Sequence, residues 1–473
     1  MRRLFSTILV IICTCSGSFA QDQLTDETKA FVTHERGSYL LQNLTLLDGT
    51  GGPAKANHDI LIVGDKIEKV GVDLPVPKGA TAIDMEGKSA MPGMVMLHEH
   101  LFYPKTTPDA NYGVDQMSYS FPRLYLAAGV TSMRTAGSLM PQADLNIKKA
   151  IGRGEVPGPK MDVTSPHIDR EGVGIFELGA IDSPEGAARA VNYYADMGIT
   201  SIKVYNFITR EDLKAIVEAA HARNLKVTGH ICSITYREAA DIGIDNLEHG
   251  FFSCSDFAKG KQVDICDPFE MRKALLTIPV DSKEVTELIT HLVSKKVALT
   301  STINVFEPYT GREVVPGGGI DALFPNAKEK VYKRWASKQG RDSLDYLAFN
   351  KAKVWEKAFY DAGGLLVAGT DPTYDGRIVA GYANRRLLEL FVEMGFTIPE
   401  AIKICTLHGA TYLEQTSSIG TIEPGKIADL LIMDKDISKD ITAIRSLNTV
   451  FKNGIGYDSK KLFKAAEGYV GIR

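Results

Sequence analysis

Between Gly129 and Thr370 short apolar runs alternate with stretches that carry helix start and stop signals, and this alternation constrains the fold more than any other feature. Gly129-Val-Thr-Ser-Met-Arg134 reads as a strand, and Met161–Pro166 as the third of its series. Ser183-Pro184-Glu185 supplies an N-cap and a first-turn proline for a helix that stops near Gly198. Thr200–Tyr205 is again a strand, and Thr209 with Asp212 has the pattern of a capping box for the helix that follows. Leu225–His230, Tyr236–Ile242 and Asp245–His249 repeat the strand, helix, strand order. Leu365–Thr370 closes the series before helices over Asn384–Met394 and Pro399–Leu413. Elements spaced in this way imply βαβ units and a parallel sheet. The charged stretch from about 254 to 350 reads as an insertion over a barrel mouth, with Gly317-Gly318-Gly319 as a flexible bend inside it.

The two ends of the chain have a different texture. Tyr39–Leu47 and Asp59–Val70 are strand-like, with turns supplied by residues 47–52 and by Gly64-Asp65-Lys66. Gly420-Thr-Ile-Glu-Pro-Gly425 is turn-rich, and Ala428–Met433 and Thr449–Asn453 are strand-like. Because chain ends tend to lie close together, residues 38–91 and 416–473 are read as one composite β domain.

Ahead of this domain, Arg2 and Arg3, the apolar run Leu4–Ile12 and Ser18-Phe19-Ala20 form the three parts of a signal peptide over residues 1–20. The run is too short for a comfortable bilayer span, so the expectation is a protein exported to the periplasm or beyond, with no stable membrane anchor. Lys and Arg number 54 against 58 Asp and Glu, a formal charge of −4, which argues against a nucleic-acid footprint. Six cysteines in 473 residues exclude a disulfide scaffold. After loss of Cys13 and Cys15 with the leader, Cys254 and Cys266 bracket a polar loop and are as well suited to a bridge as to two free thiols.

The chemistry concentrates at strand ends. His98-Glu99-His100 follows the apolar segment Met94–Leu97, and residues i and i+2 of a strand share a face, so both imidazoles can reach one ion. Lys203, His230, His249 and Asp371 each stand at or just past the carboxyl end of an expected strand, where barrel enzymes gather their reactive groups. Packing alone does not account for four such residues at equivalent positions.

Pro92-Gly93-Met-Val-Met-Leu-His98-Glu-His100, Ser201-Ile-Lys203-Val-Tyr205, Val227-Thr-Gly-His230, Asn246-Leu-Glu-His249-Gly and Gly369-Thr-Asp371 together resemble the amidohydrolase superfamily, in its imidazolonepropionase-related and Xaa-Pro-dipeptidase-like branch. Gly420 to Leu430 is similar to the family's return into its β domain, so the resemblance covers about residues 38 to 458. Members often carry Asp two places before the first His, where this chain has Met96. The resemblance implies a (β/α)8 TIM barrel over residues 92–415 with a small composite β-sandwich domain. It also implies two divalent metal ions, with zinc the best match to nitrogen and oxygen donors. His98, His100 and Asp371 would bind one ion and His230 and His249 the other, with Lys203 bridging them as a CO2-derived carbamate. Such a pair lowers the pKa of a bridging water and polarises a scissile carbonyl, while Asp371 carries the proton to the leaving amine.

The implied activity is hydrolysis of an amide bond in a dipeptide or N-acyl amino acid. Cyclic amides, lactones or esters are the alternative substrates, and a metal-free binding protein is the remote one. For substrate contacts the sequence offers His167 at the end of strand three, Tyr205 on the face of Lys203, and Arg134 and Arg377 as carboxylate clamps. Phe102, Tyr103 and Tyr374 are candidates for an apolar wall. The expected partner is a small molecule, with assembly into a homo-oligomer left open.

Overall fold

The computed structural model describes residues 24–106, 112–171, 179–339, 344–372 and 377–471. The expected leader and Tyr374 lie outside them. Among the described residues no helix is long and apolar enough to cross a membrane.

Both chain ends enter one nine-stranded sheet. Its path runs through Val32–His34, Ile455–Asp458, Leu447–Lys452, Leu430–Met433, Ser89–Pro92, Gly37–Leu46, Lys55–Gly64 and Lys66–Gly71, with Thr81–Asp84 beside Gly37–Leu46. Ser89–Pro92 is the junction: it pairs antiparallel with Leu430–Met433, Met91 opposite Leu431, and parallel with Gly37–Leu46. The sequence resemblance implies a sandwich, whereas the hydrogen-bonded path here is continuous and curls back on itself. The Ile67 amide donates to the Lys426 carbonyl at 2.9 Å and the Gly425 amide to the Ile67 carbonyl at 2.8 Å, which brings the far edge round to the C-terminal segment. The curl encloses Leu41, Leu44, Ile60, Ile62, Leu430 and Phe451 in a core of their own.

The middle of the chain is of the TIM-barrel type, but its strands form two sheets rather than one closed ring. One sheet holds Met94–Glu99, Val130–Thr135 and Lys160–Asp162. The other runs Gly179–Ala180, Thr164–Asp169, Ser201–Val204, Lys226–Gly229, Asn246–Leu247, Ala298–Ser301 and Leu366–Ala368, parallel throughout. At one junction the amides of Thr370 and Asp371 donate to the His98 carbonyl at 3.0 and 2.9 Å. At the other, the Ser138 amide donates to the Ser165 carbonyl and the Gly137 amide to Thr164 Oγ1 at 2.7 Å. Loop amides thus replace ladder bonds at the first seam, and a loop amide and a threonine hydroxyl at the second, which satisfies the backbone without regular pairing.

The helix signals locate their helices well. Pro184–Met197 ends at Gly198 in left-handed conformation (φ 101°), and Thr209 and Asp212 exchange both bonds of a capping box. The segment read as an insertion differs more. It contains the helices Pro268–Thr277 and Lys283–Ser294 and then a barrel strand, Ala298–Ser301, flanked on both sides by other strands. Four residues directly after a polar Ser-Lys-Lys give too short an apolar run to announce a strand. The glycines 317–319 are all left-handed and seated on Tyr382 and Arg386, so they form a fixed turn.

The disulfide joins Cys232 to Cys266, not Cys254 to Cys266. Cys254 is buried and its thiol donates to Asp256 Oδ2 at 3.3 Å. Cys232, just past His230, stands opposite Cys266 with their Cα atoms 4.9 Å apart, a separation that a bridge requires.

Candidate active site

Six of the expected residues converge at the carboxyl ends of the parallel strands, on the floor of a cavity of about 480 Å³. His98 ends a strand that is buried at every position, and His100 follows it on the same face. Asp371 reaches across from the last strand: its Oδ1 lies 3.0 Å from His100 Nε2 and 3.6 Å from His98 Nε2. These three offer donor atoms within 4.8 Å of one another. His249 Nδ1 lies 3.9 Å from Asp371 Oδ2, and the ring of His230 meets that of His249 edge-on at 4.4 Å. Lys203 enters from below; its Nζ is buried and pairs with Glu248 Oε1 at 3.6 Å, beyond ordinary hydrogen-bond length, with no closer partner among the described residues.

Two backbone details allow this convergence. His249 and Asp371 both sit in left-handed conformation, φ 64° and 49°, which costs energy in a residue with a Cβ and is typical of functional positions. Gly369 lets the last strand end approach the first, since a Cβ there would lie 2.2 Å from that of His98.

Electrostatics prepares the donors. Burial holds the His100, His167 and His249 imidazoles below their ordinary value and pushes His230 down to about 3, so these rings are neutral. Burial also opposes charge on His98, but Glu248 and Asp371 beside it outweigh that and raise this ring above its ordinary value. For Asp371 burial opposes ionisation, but His98 and His100 beside its oxygens outweigh it and hold the carboxyl well below the usual range. Burial lowers the Lys203 ammonium, and Glu248 only partly offsets it. The neutral imidazoles of His100, His230 and His249, the His98 ring oriented by its neighbours, an ionised carboxylate and a buried amine fit a divalent cation centre of nitrogen and oxygen donors.

Glu248 is the residue that the motif contains but sequence reasoning leaves without a role. It is fully buried; Oε2 accepts from His98 Nδ1 at 2.7 Å and Oε1 from Arg134 Nη2 at 2.7 Å, and Thr228 donates a further short bond. By holding Nδ1–H of His98 it leaves Nε2 to face Asp371, the arrangement that makes an imidazole a ligand. Thr302 Oγ1 does the same for His249 Nδ1 at 2.8 Å. Glu99 anchors the other side, accepting from Asn384 Nδ2 at 2.9 Å and from Thr370, with burial pushing it up to about 7. Position next to a ligand, in His98-Glu99-His100 and Glu248-His249, is the signal that identifies both glutamates.

The expected substrate contacts divide. His167 and Tyr205 line the cavity with ring centroids 4.7 Å apart, and His167 fits only because residue 137 is glycine: a Cβ there would lie 2.2 Å from its ring. Arg134 is no carboxylate clamp. It is wholly enclosed beneath the floor and paired with Glu248 and Asn246, because the barrel interior needs a cation against that buried carboxylate. Arg377 lies over the ring of Tyr309, 4.5 Å away, and it is Tyr309 that lines the cavity. Phe102 lines the wall, whereas Tyr103 turns into the core. The remaining wall is mainly apolar and largely unforeseen, with Leu139, Met271, Leu275 and the stacked pair Phe252 and Phe306 at 3.5 Å, and it also carries the ion pair of Arg272 and Asp345.

A parallel α/β sheet of the TIM-barrel type, with imidazoles, a lysine and a carboxylate gathered at its strand ends under an apolar cavity, defines a hydrolase-type centre. The chain belongs to the amidohydrolase family, whose model matches residues 89–455, and so stands among enzymes that hydrolyse carbon–nitrogen bonds. It is 27% identical over 197 residues to the dihydroorotase of Leifsonia xyli subsp. xyli, covering 40% of this chain and 42% of that protein. It is 33% identical over 102 residues to the imidazolonepropionase of Bacteroides fragilis, covering 21% and 24%. The chain thus spans less than half the length of these curated relatives. Among solved structures, a Xaa-Pro dipeptidase with methionine bound in its active site superposes with a TM-score of 0.65 at 19% identity, covering 89% of this chain and 100% of that one, which shows a shared fold.

Proposed function

We propose that this chain is an exported, metal-dependent amidohydrolase that cleaves an amide bond in a dipeptide or N-acyl amino acid. The observation that carries the proposal is the convergence of His98, His100, His249 and Asp371 over the buried amine of Lys203, on the floor of a cavity large enough for a dipeptide. The Xaa-Pro dipeptidase of the same fold supports the substrate class, and the basic and apolar start of residues 1–20 supports export to the periplasm or beyond.

His98, His100 and Asp371 would hold one divalent ion and His230 and His249 a second, with zinc the best match to the donors. Bound there, the ions supply Lewis acidity that polarises a carbonyl and acidifies water. Burial favours the neutral amine of Lys203, which can add CO2: a bond forms from Nζ to carbon, one proton leaves, and the product is an anionic oxygen ligand in place of a cation. Glu248 keeps the His98 ring oriented by bonding Nδ1. Asp371, held ionised, accepts a proton at a carboxylate oxygen and returns it to the nitrogen of the leaving amine. The apolar wall of Leu139, Phe252, Leu275 and Phe306 excludes bulk water from these exchanges.

The test is metal content per chain in protein purified without chelators and supplied with bicarbonate, followed by a screen of dipeptides, N-acyl amino acids and lactones. About two ions per chain with chelator-sensitive turnover of a dipeptide is the expected result. No ion after reconstitution would overturn it. The alignments to dihydroorotase and imidazolonepropionase favour a second reading, a substrate of those enzymes' kind, and the same screen separates the two when extended to cyclic amides.

A further inference from the structure

The cavity has two parts that the fold holds very differently. Its floor, with His230 and His249, is built from strand ends and fully packed loops. Cys232 is buried behind this floor, two residues past His230: it is 1% exposed, and the next residue is fixed by Ser233 N donating to the Asn206 carbonyl at 2.9 Å and Ser233 Oγ to the Ile208 carbonyl at 2.5 Å. The opposing wall is the helix Pro268–Thr277, which supplies Met271, Arg272 and Leu275 to the cavity. Only Ala274 and Leu275 of that helix are buried.

Little apolar burial therefore holds the wall in place. Val263, Ile265 and Phe269, which lead into and open the helix, are 60%, 53% and 73% exposed. The helix C-terminus is tied by Lys351, whose Nζ donates to the carbonyls of Leu276 at 2.7 Å and Ile278 at 2.5 Å. Arg272 pairs with Asp345 on the same neighbouring helix as Lys351. Among the described residues the segment leading into the helix is tied by polar contacts, Asp264 accepting from the Arg210 amide at 3.0 Å and from Arg210 Nε at 3.1 Å and Lys261 Nζ donating to the Ser233 carbonyl at 2.5 Å, and by one covalent tie, Cys266 to Cys232. Exposed ion pairs hold a segment weakly, whereas a disulfide fixes it. Cys232 is two residues past His230, and Cys266 two before the first residue of the wall helix.

We propose that the Cys232–Cys266 disulfide is a specificity-determining link that sets the distance between the imidazole floor and the apolar wall against which the substrate's side chain packs. Cys266 is a positioning residue in this scheme, acting through Met271 and Leu275. The inference rests on the proposed amide hydrolysis for its kinetic consequence, but not for its structural one.

The experiment compares the full chain with Cys266→Ser. Amide hydrogen exchange across 266–277 is expected to rise by about tenfold or more, while exchange across 94–100 stays unchanged. For the best dipeptide of the screen, KM is expected to rise about tenfold with kcat within about twofold, because uniform binding and not the chemical step is lost. Metal content is expected to equal that of the wild type. Unaltered exchange across 266–277 overturns the proposal whether or not a substrate is in hand, and a loss confined to kcat and metal content overturns it as well. If the wild type cleaves no dipeptide, the proposed function falls while the exchange result still decides this inference. Should Cys266→Ser not fold, the same exchange measurement on folded wild-type protein before and after mild reduction replaces it: exchange across 266–277 is expected to rise about tenfold on reduction, and unaltered exchange, or a Cys266 found free or paired with Cys254 by mass mapping before reduction, overturns the proposal.

Discussion

Replacing Glu248 by glutamine changes one oxygen to an NH2 group at the most enclosed point of the site, and the consequence can be worked from its contacts. The carboxylate accepts from His98 Nδ1 on one oxygen and from Arg134 and Thr228 on the other. An amide has one acceptor oxygen, so whichever way it turns, its NH2 faces a donor. In either orientation the amide is uncharged, so the fully buried Arg134 guanidinium loses its counter-charge, a change of about 3–5 kcal/mol. The Asn246 oxygen, still 3.0 Å from Arg134 Nη2, keeps the loss near the lower figure. Turned toward His98, it frees Nδ1 and lets the ring change tautomer, which lowers metal affinity roughly 10–100-fold. The expected result for Glu248→Gln is therefore a metal-free protein destabilised by about 3 kcal/mol, a zinc affinity reduced at least about tenfold, or both. Urea midpoints on metal-free protein and competition with a chromophoric chelator measure the two quantities. Wild-type values in both assays would refute the assignment of Glu248 as the residue that orients His98.

Three further outcomes test neighbouring parts of the argument. Lys203→Ala is expected to halve or empty the metal content and abolish turnover while circular dichroism stays native; full activity would remove Lys203 from the centre. Asp371→Asn is expected to keep most of the metal and lose most turnover, and a wild-type rate would exclude Asp371 as the proton carrier. Glu356 is fully buried, and burial, only partly offset by Ser301, pushes it from 4.5 up to about 8. The folded state therefore holds this proton more tightly than the unfolded state, and stability falls as pH rises from about 4.5 to 8. Glu356→Gln removes that penalty, so it should raise the thermal midpoint more at pH 8 than at pH 5; equal shifts at both values would contradict it.

How much of this was legible in the sequence follows from the range of the interactions involved. Helix signals are local, and Ser183, Gly198 and Thr209 cap helices where the sequence places them. The convergence of the histidines, Lys203 and Asp371 was legible because packing alone does not place so many polar residues at equivalent strand ends. Ala298–Ser301 was not, because four buried residues become a strand only through neighbours on both sides. Arg134 was misread for a related reason: its strand position marks it as inward-facing, but only Glu248, more than a hundred residues away, decides whether inward means cavity or core. The partner of Cys266 was likewise set by how loops return in space and not by the spacing of thiols along the chain.

The junction strand Ser89–Pro92 also fixes a temporal order. Its antiparallel partner, Leu430–Met433, leaves the ribosome some 340 residues later, and Ile455–Asp458 later still. Until then the apolar faces of Gly37–Leu46 and Lys55–Gly64 have no complete core to enter. The small domain must therefore be the last unit to mature, even though half of it is made first, and contacts so distant in sequence close slowly. A nascent chain stalled before residue 430 would carry a barrel segment with all of its candidate ligands and an open apolar sheet beside it, a species suited to capture by a holdase chaperone.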